Sequence, residues 1–316
     1  MKCEISDLRS DVKYWALPNV KYSLTSECVS YCALHVIFAD ANMSTLRWTY
    51  GKWRIKQHGV LFSGIEDKKM KEYIRFLEEI AGNGHVALNV MQYDGWLLRF
   101  SKGYTSRANS VSVLYPSQKG IEEKVAYCEA CYAKQGQPAI FKVTELDTEL
   151  IEYLLKRGYS VVTPTDVMVL DLEKTDPAAD LKDCAVDADP WEWLPAFYEF
   201  ENRKDPAVQA IYNEMLSKVL VDTYYCTVMK DGKPVACAST AAEQGYALLQ
   251  NVVVDPALRG QGIGEKLCRA ILAKEKERGI RYAYLQVVQT NKAAMKLYEK
   301  LGFSKVYTYQ YMKQAK

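Results

Sequence analysis

Residues 246–264 constrain the fold more than any other stretch of the chain. Tyr246 to Val254 (YALLQNVVV) is an apolar run of buried-strand type, and Asp255-Pro256 ends it. Arg259-Gly260-Gln261-Gly262-Ile263-Gly264 follows, and then Ile263, Leu267 and Ile271, with Cys268 and Leu272 beside them, trace one apolar helical face. The glycines therefore sit at a strand-to-helix junction. Glycine there permits backbone conformations closed to other residues and lets an anion approach the free N–H groups of the first helical turn, where the macrodipole adds about 0.3–1 kcal/mol. No Gly-Lys-Ser/Thr follows, so this is no Walker loop. Glu265 stands where a dinucleotide fingerprint needs glycine.

Composition makes this local site the main route to anion binding. Lys+Arg 41 against Asp+Glu 39 leaves a net charge of +2, too small for a general attraction to nucleic acid or an anionic membrane. No nucleic-acid or membrane partner is expected. The longest early apolar run, Cys28 to Ala39, is far shorter than the roughly 20 residues a membrane span needs. Nine cysteines are scattered through 316 residues with no signal peptide ahead of them, which predicts reduced thiols and a cytoplasmic protein.

The length allows two domains, and an internal repeat relates them. With Gly302-Phe303 placed over Gly158-Tyr159, an offset of 144, Leu285-Gln286-Val287 falls on Phe141-Lys142-Val143. Gly279 then matches Gly136 at 143, and Gly262-Ile263 matches Gly120-Ile121 at 142. Each half reads as loop, helix, strand, helix, Gly-aromatic turn, strand. Lys174 to Pro190, rich in Asp, Pro and Ala, is the predicted linker. The expected division is 1–69, an extension of unknown role; 70–173, a first domain; 174–190, the linker; and 191–316, a second domain. A hairpin around Tyr50-Gly51-Lys52 is plausible in the extension.

Downstream of the loop, Tyr282 to Val288 is a second buried-type strand, and Ala294, Leu297, Tyr298 and Leu301 share a helical face that ends at Gly302-Phe303. Taken together, Val252-Val253-Val254-Asp255-Pro256, Arg259-x-x-Gly262-x-Gly264, Asn291 and Tyr298-Glu299-Lys300-Leu301-Gly302-Phe303 resemble the second part of the GNAT acyl-CoA N-acyltransferase family. From about Met70 the chain also resembles a bacterial tandem form of that family, through Asp94-Gly95-Trp96-Leu97-Leu98-Arg99 and Gly103-Tyr104-Thr105-x-Arg107-Ala108-Asn109-Ser110-Val111.

The resemblance implies a mixed α/β (α+β) tandem GNAT fold, each unit a mostly antiparallel sheet flanked by helices. It implies an acetyl-CoA-dependent N-acetyltransferase acting on a small-molecule or peptide amine, with no metal. The pantetheine arm would bond to the main chain of Val252, Val253 and Val254 like an added strand. Its pyrophosphate would sit on the amides of Arg259, Gly260, Gln261, Gly262, Ile263 and Gly264. Asn291 would bond to the arm, and Tyr298 would protonate the departing thiolate. Alternatives are a tandem-GNAT aminoacyltransferase using charged tRNA, whose second domain has usually lost the pyrophosphate loop, and a non-catalytic CoA-binding sensor.

The repeat then marks the first half as degenerate. Gly264 falls on Glu122, Asn291 on Asp147 and Tyr298 on Leu154. A carboxylate there repels a pyrophosphate, and leucine has no proton to give. Arg99, Arg107 and Asn109 either line an acceptor groove or fix a turn. Cys128-x-x-Cys131 lies inside a helical run without a second pair, and Cys28-x-x-x-Cys32 with His35 makes three ligands at best, so neither reads as a metal site.

Acetyl transfer needs a neutral amine. At neutral pH a lysine-like amine costs about 4.6 kcal/mol to deprotonate and an α-amine only about 1 kcal/mol. Gln250 and Asn251 precede the loop where many relatives carry a glutamate, and neither is a base. Glu243, Glu199 and Glu201 are possible substitutes through a water, although plain surface exposure accounts better for any one of them taken singly.

Overall fold

The computed structural model describes residues 59–175 and 182–314, together with an antiparallel strand pair, β1 (Lys21–Tyr22) and β2 (Val36–Ile37). The chain forms two compact units, Met1–Gly59 and Val60–Lys316. The hairpin expected around Tyr50, together with Cys28, Cys32 and His35, lies outside the described residues.

The first half of the second unit runs through α1 (Gly59–Gly84), β3 (Asn89–Tyr93), β4 (Trp96–Phe100), β5 (Val111–Val113), α2 (Ile121–Ala133), β6 (Ile140–Thr144), α3 (Thr148–Lys156) and β7 (Tyr159–Asp171). Then come β8 (Cys184–Asp187), α4 (Pro190–Phe200), α5 (Pro206–Leu216), β9 (Asp222–Lys230), β10 (Lys233–Glu243) and β11 (Tyr246–Val254). The chain closes with α6 (Ile263–Glu277), β12 (Tyr282–Val288), α7 (Lys292–Lys300) and β13 (Ser304–Gln314). Two sequence-based boundaries move. Helix α1 starts ahead of residue 70, and the segment 174–190 read as linker carries strand β8, which pairs with β9 from Cys184↔Val228 to Asp187↔Tyr225.

Both halves share one sheet of eleven strands in the order β3-β4-β5-β6-β13-β7-β12-β11-β10-β9-β8. All pairs are antiparallel except β5 with β6 and β11 with β12. The halves exchange their last strands. β13, which follows α7, pairs with β6 of the first half, and β7, which follows α3, pairs with β12 of the second. β7 and β13 also pair with each other from Ser304↔Val169 to Gln314↔Tyr159. Residues 70–173 and 191–316 are therefore not independent sheets, because each borrows an inner strand from the other.

Alternation along these strands sends consecutive side chains to opposite faces. Leu249, Leu285, Met168 and Leu170 pack under Leu267, Cys268 and Ile271 of α6 and Leu301 of α7. Leu248, Tyr284, Val167 and Tyr307 point the other way, under Ile74, Leu77 and Ile80 of α1. Each such aliphatic side chain contributes about 1.5–3 kcal/mol on burial. Trp193, Phe197 and Tyr212 of α4 and α5 cover Tyr225, Cys237 and Val253. One ion pair is enclosed beneath α1. Lys142 Nζ lies 2.5 Å from Glu78 Oε2, and Tyr307 Oη donates to Glu78 Oε1 at 2.7 Å, so neither buried charge lacks a partner.

Candidate functional site

The site is built where two parallel strands part. β11 and β12 pair from Tyr246↔Tyr282 to Leu249↔Leu285, and there the pairing stops, although β11 continues to Val254 and β12 to Val288. The cause lies on the other edge of β11. Gln250 and Val253 oppose Ser239 and Cys237 of β10, a bulge that places one extra residue on β11. Asn251 stands in this bulge with φ +56°, a left-handed conformation that asparagine tolerates better than other residues with a Cβ. Its Nδ2 donates to Ser239 Oγ at 2.8 Å and to Tyr212 Oη at 3.0 Å, which holds the kink in place. Beyond it β11 turns away from β12, and its β12-facing edge offers main-chain donors and acceptors as an edge strand does.

The glycine loop begins at the end of that strand. Asp255 Oδ1 accepts from Ala257 N at 2.9 Å and starts a short turn, so the Asp-Pro signal ends β11 as expected. Gly260 and Gly262 adopt φ +81° and +79°, and a Cβ on either would meet nothing within 4 Å, so conformation and open approach select glycine there. Gly262 is the N-cap of α6 and supplies no side-chain cap, which leaves the first-turn N–H groups to an outside acceptor. Gly264 differs. A Cβ there would lie 3.4 Å from Leu297 Cδ2 and 3.5 Å from Val254 Cγ2, ordinary contact distances at which a methyl group fits between α6, β11 and α7. Glu265, the acidic residue of this turn, is neutralised by Lys300 at 2.5 Å and Arg269 at 3.1 Å. These two cations hold its carboxyl below the usual range.

The first half shows what such a loop attracts. The repeat puts Gln118 and Lys119 on Gly260 and Gln261. The Asp94 carboxylate accepts from Gln118 N at 3.0 Å and Lys119 N at 2.9 Å, and Lys124 Nζ lies 3.2 Å away. An internal carboxylate thus fills the anion position of the degenerate half. The equivalent amides in the second half precede an uncapped helix, and Gly260 and Gly262 leave open space beside them, features that suit an anion.

Asn291 and Tyr298 occupy α7. Asn291 Oδ1 accepts from Ala294 N at 3.2 Å and caps the helix, which leaves Nδ2 as the group able to reach a ligand. Tyr298 packs in one cluster with Val252, Val254 and Val287, the residues on both sides of the open gap. Burial pushes its phenol far above the normal range, so it keeps its proton at neutral pH. Leu154, its counterpart, is a core residue of the first half.

Of the carboxylates named as possible bases, Glu243 lies back along the sheet, and Glu201 acts on Cys237, the residue of β10 opposite Val253. Glu243 pairs with Tyr246, five positions before Asn251 and so roughly 16 Å along the strand, and accepts from Asn83 Nδ2 at 3.3 Å. Glu201 is exposed at the end of α4 and pairs with Arg203 at 3.3 Å, and Glu199 is exposed on the same helix. The cluster of Arg99, Arg107 and Asn109 divides. Asn109 fixes the turn, its Oδ1 accepting from Ser101 N at 2.7 Å and Gly103 N at 2.9 Å. Arg99 and Arg107 line a cavity of about 540 Å³ beside Gln286, the first residue of β12 past the last pair. His85, at the end of α1, lines it too, with Gln250 of β11 beside its ring. No sequence signal singled out His85, because α1 and β11 are far apart in the chain. Cys128 is buried on α2, where burial pushes its thiol up to about 12, and Cys131 beside it is a free thiol. Among the described residues no helix is long and apolar enough to cross a membrane.

Solved structures share this architecture. The GCN5-related N-acetyltransferase from Kribbella flavida superposes with a TM-score of 0.59 at 14% identity, over 78% of this chain and 96% of that one. A tandem GNAT protein from the clavulanic acid biosynthesis pathway gives 0.52 at 18% identity, over 64% and 74%. In sequence, the uncharacterized N-acetyltransferase YobR of Bacillus subtilis is 25% identical over 249 residues, 75% of this chain and 97% of its own. The [Ribosomal protein bS18]-alanine N-acetyltransferase of Escherichia coli is 37% identical over 75 residues, 24% of this chain and 51% of that one. Fold, open strand pair and relatives define a GNAT-type N-acetyltransferase. Within that class the chain belongs to the family described as probable histone acetyltransferase Rv0428c C-terminal, whose profile matches residues 72–312.

Proposed function

We propose that the protein transfers the acetyl group of acetyl-CoA to a primary amine, in the cytoplasm, with residues 191–316 carrying the machinery and the first half walling the acceptor site. The observation that carries this reading is the end of β11–β12 pairing at Leu249↔Leu285, directly ahead of an uncapped glycine loop. Acetyl-CoA supplies the acetyl group as a thioester. The main chain of Val252, Val253 and Val254 bonds the pantetheine arm, the amides of Arg259 to Gly264 bind the diphosphate, and Asn291 Nδ2 adds a donor. Tyr298 gives its proton to the leaving sulfur as the C–S bond breaks and the N–C bond forms, and the proton the amine nitrogen sheds passes through water to restore the phenol. An amine titrating near the α-amine value costs only about 1 kcal/mol to deprotonate at neutral pH.

Titration calorimetry with acetyl-CoA, followed by a thiol-release assay over polyamines, amino acids, amino sugars and peptide N-termini, tests the reading. Saturable binding and thiol release with at least one amine are expected. A silent titration overturns the assignment, and binding without release from any amine makes the protein a sensor.

A further inference from the structure

Two arginines in the cavity beside the open strand pair lack an anion. Arg99 is 7% exposed, and Nη2 donates to the carbonyl oxygens of Gly82, at 3.1 Å, and His85. Its Nε is buried with no partner. Among the described residues no carboxylate is within ion-pair distance of Arg99 or Arg107. The acidic groups that line the cavity are committed elsewhere. Glu78 is paired with Lys142 and Tyr307, and Glu79 accepts from Tyr115 Oη. Lys218 on the rim is matched by Glu214 at 3.4 Å. Two guanidinium groups without a carboxylate partner, Arg99 buried and Arg107 half-buried, thus face one partly open space. Burying a charge without a partner is costly, and the arrangement becomes favourable when an anion enters.

We propose, on the basis of the acetyl-transfer reading, that the acceptor amine carries an anionic oxygen group, a carboxylate or a phosphate, which Arg99 and Arg107 hold in this cavity. The placement matches the chemistry of transfer. Arg99 is bonded to the carbonyl of His85, the His85 ring lies beside Gln250, and Gln250 Nε2 donates to Gly84 O at 3.0 Å at the residue where β11 leaves β12. Gln286 lines the same cavity from β12. Arg99, Arg107 and Gln286 thus line one cavity, so an amine a few bonds from an anion held there shares the space that borders the open strand pair. A guanidinium presents planar paired donors that fit either oxygen group, and the same charges repel a polyamine or a lysine-rich peptide.

The test compares matched amines with acetyl-CoA saturating: glutamate against its diamide, phosphoethanolamine against ethanolamine, and spermidine and a lysine-rich peptide as cationic controls. Expected is a kcat/KM at least roughly tenfold higher for an anionic amine than for its neutral partner, the first pair reporting carboxylate and the second phosphate. Arg107→Gln should raise KM for that amine roughly tenfold and leave acetyl-CoA affinity within about twofold. Equal rates across each pair, preference for the cationic amines, or an unchanged KM in Arg107→Gln overturns the proposal while the acetyl-transfer reading stands. A silent acetyl-CoA titration instead sinks that underlying reading. If no amine in the set turns over, succinate and inorganic phosphate are titrated into the CoA-saturated protein, where the diphosphate loop is already filled. Binding of either to the wild type and not to Arg107→Gln supports the proposal, and its absence in the wild type overturns it.

Discussion

The carboxylate of Asp94 accepts the backbone N–H of Lys119 at 2.9 Å, in the loop that the internal repeat superimposes on Gly260-Gln261. The first half therefore satisfies from within the chain the donors that the second half leaves for a ligand. Asp94→Asn should lower the melting temperature at neutral pH. The amides of Gln118 and Lys119, with Lys124 beside them, hold the Asp94 carboxyl below its ordinary value. Its contribution is thus present above the unfolded carboxyl pKa of about 3.9 and is lost as pH falls through the lower folded value. Melting curves of both proteins from neutral pH downward should converge below about pH 4; a constant difference would count against the role given to Asp94.

The glycines of the binding loop separate by substitution. Gly262→Ala forces a Cβ into the left-handed region, at about 1–2 kcal/mol, and should weaken acetyl-CoA binding roughly tenfold by calorimetry. Gly264→Ala meets only ordinary contacts, at 3.4 and 3.5 Å, and should bind nearly as well as wild type. Gly264→Glu brings a carboxylate to the diphosphate position and should abolish binding. Equal behaviour of the three variants would contradict this division of roles.

Tyr298→Phe keeps the ring that packs 6.0 Å from Phe303 and removes only the hydroxyl. Turnover should fall by roughly 10²-fold with acetyl-CoA affinity unchanged, because only the proton donor is lost. Thermal stability should stay within about 1 kcal/mol of wild type. A variant with wild-type kcat would remove Tyr298 from the chemistry.

His85 makes stability depend on pH in a different part of the acid range from Asp94. Burial first, then Arg107 and Arg99, hold its imidazole far below the usual histidine value. The unfolded chain takes up a proton near pH 6.5 while the folded chain does not, so stability is full above that pH and falls below it by up to about 1.4 kcal/mol per pH unit. His85→Gln should flatten this slope in denaturant titrations between about pH 7 and pH 5. An identical slope in wild type and variant would show that His85 is not the group responsible.

Much of the second half is legible in the sequence. Strands over 246–254 and 282–288 match β11 and β12 residue for residue, since predominantly apolar runs bounded by Asp-Pro and by Thr-Asn leave little choice. Asn291 and Asp147, paired by the repeat, both stand at helix N-caps. The segment 174–190 misleads as a linker because Cys184 to Asp187 is too short and too polar to announce a strand, yet it completes the edge beside β9. Glu243 stands several strand positions from the bulge, a separation that residue type alone does not reveal. His85 and Gln250 meet only through the packing of α1 on the sheet.

The local sequence of residues 246–303 determined the glycine loop and the helices around it, because backbone conformation, helix-end donors and short-range periodicity are set by neighbours in the chain. Tertiary structure alone decided which strands pair. β13 lies between β6 and β7, and β7 between β13 and β12, pairings between residues more than a hundred positions apart that no local pattern specifies. The packing of the sheet places Arg99 and Arg107 of one half against the open strand pair of the other. The acceptor side is thus assembled from residues far apart in sequence, and local periodicity holds no record of their contact.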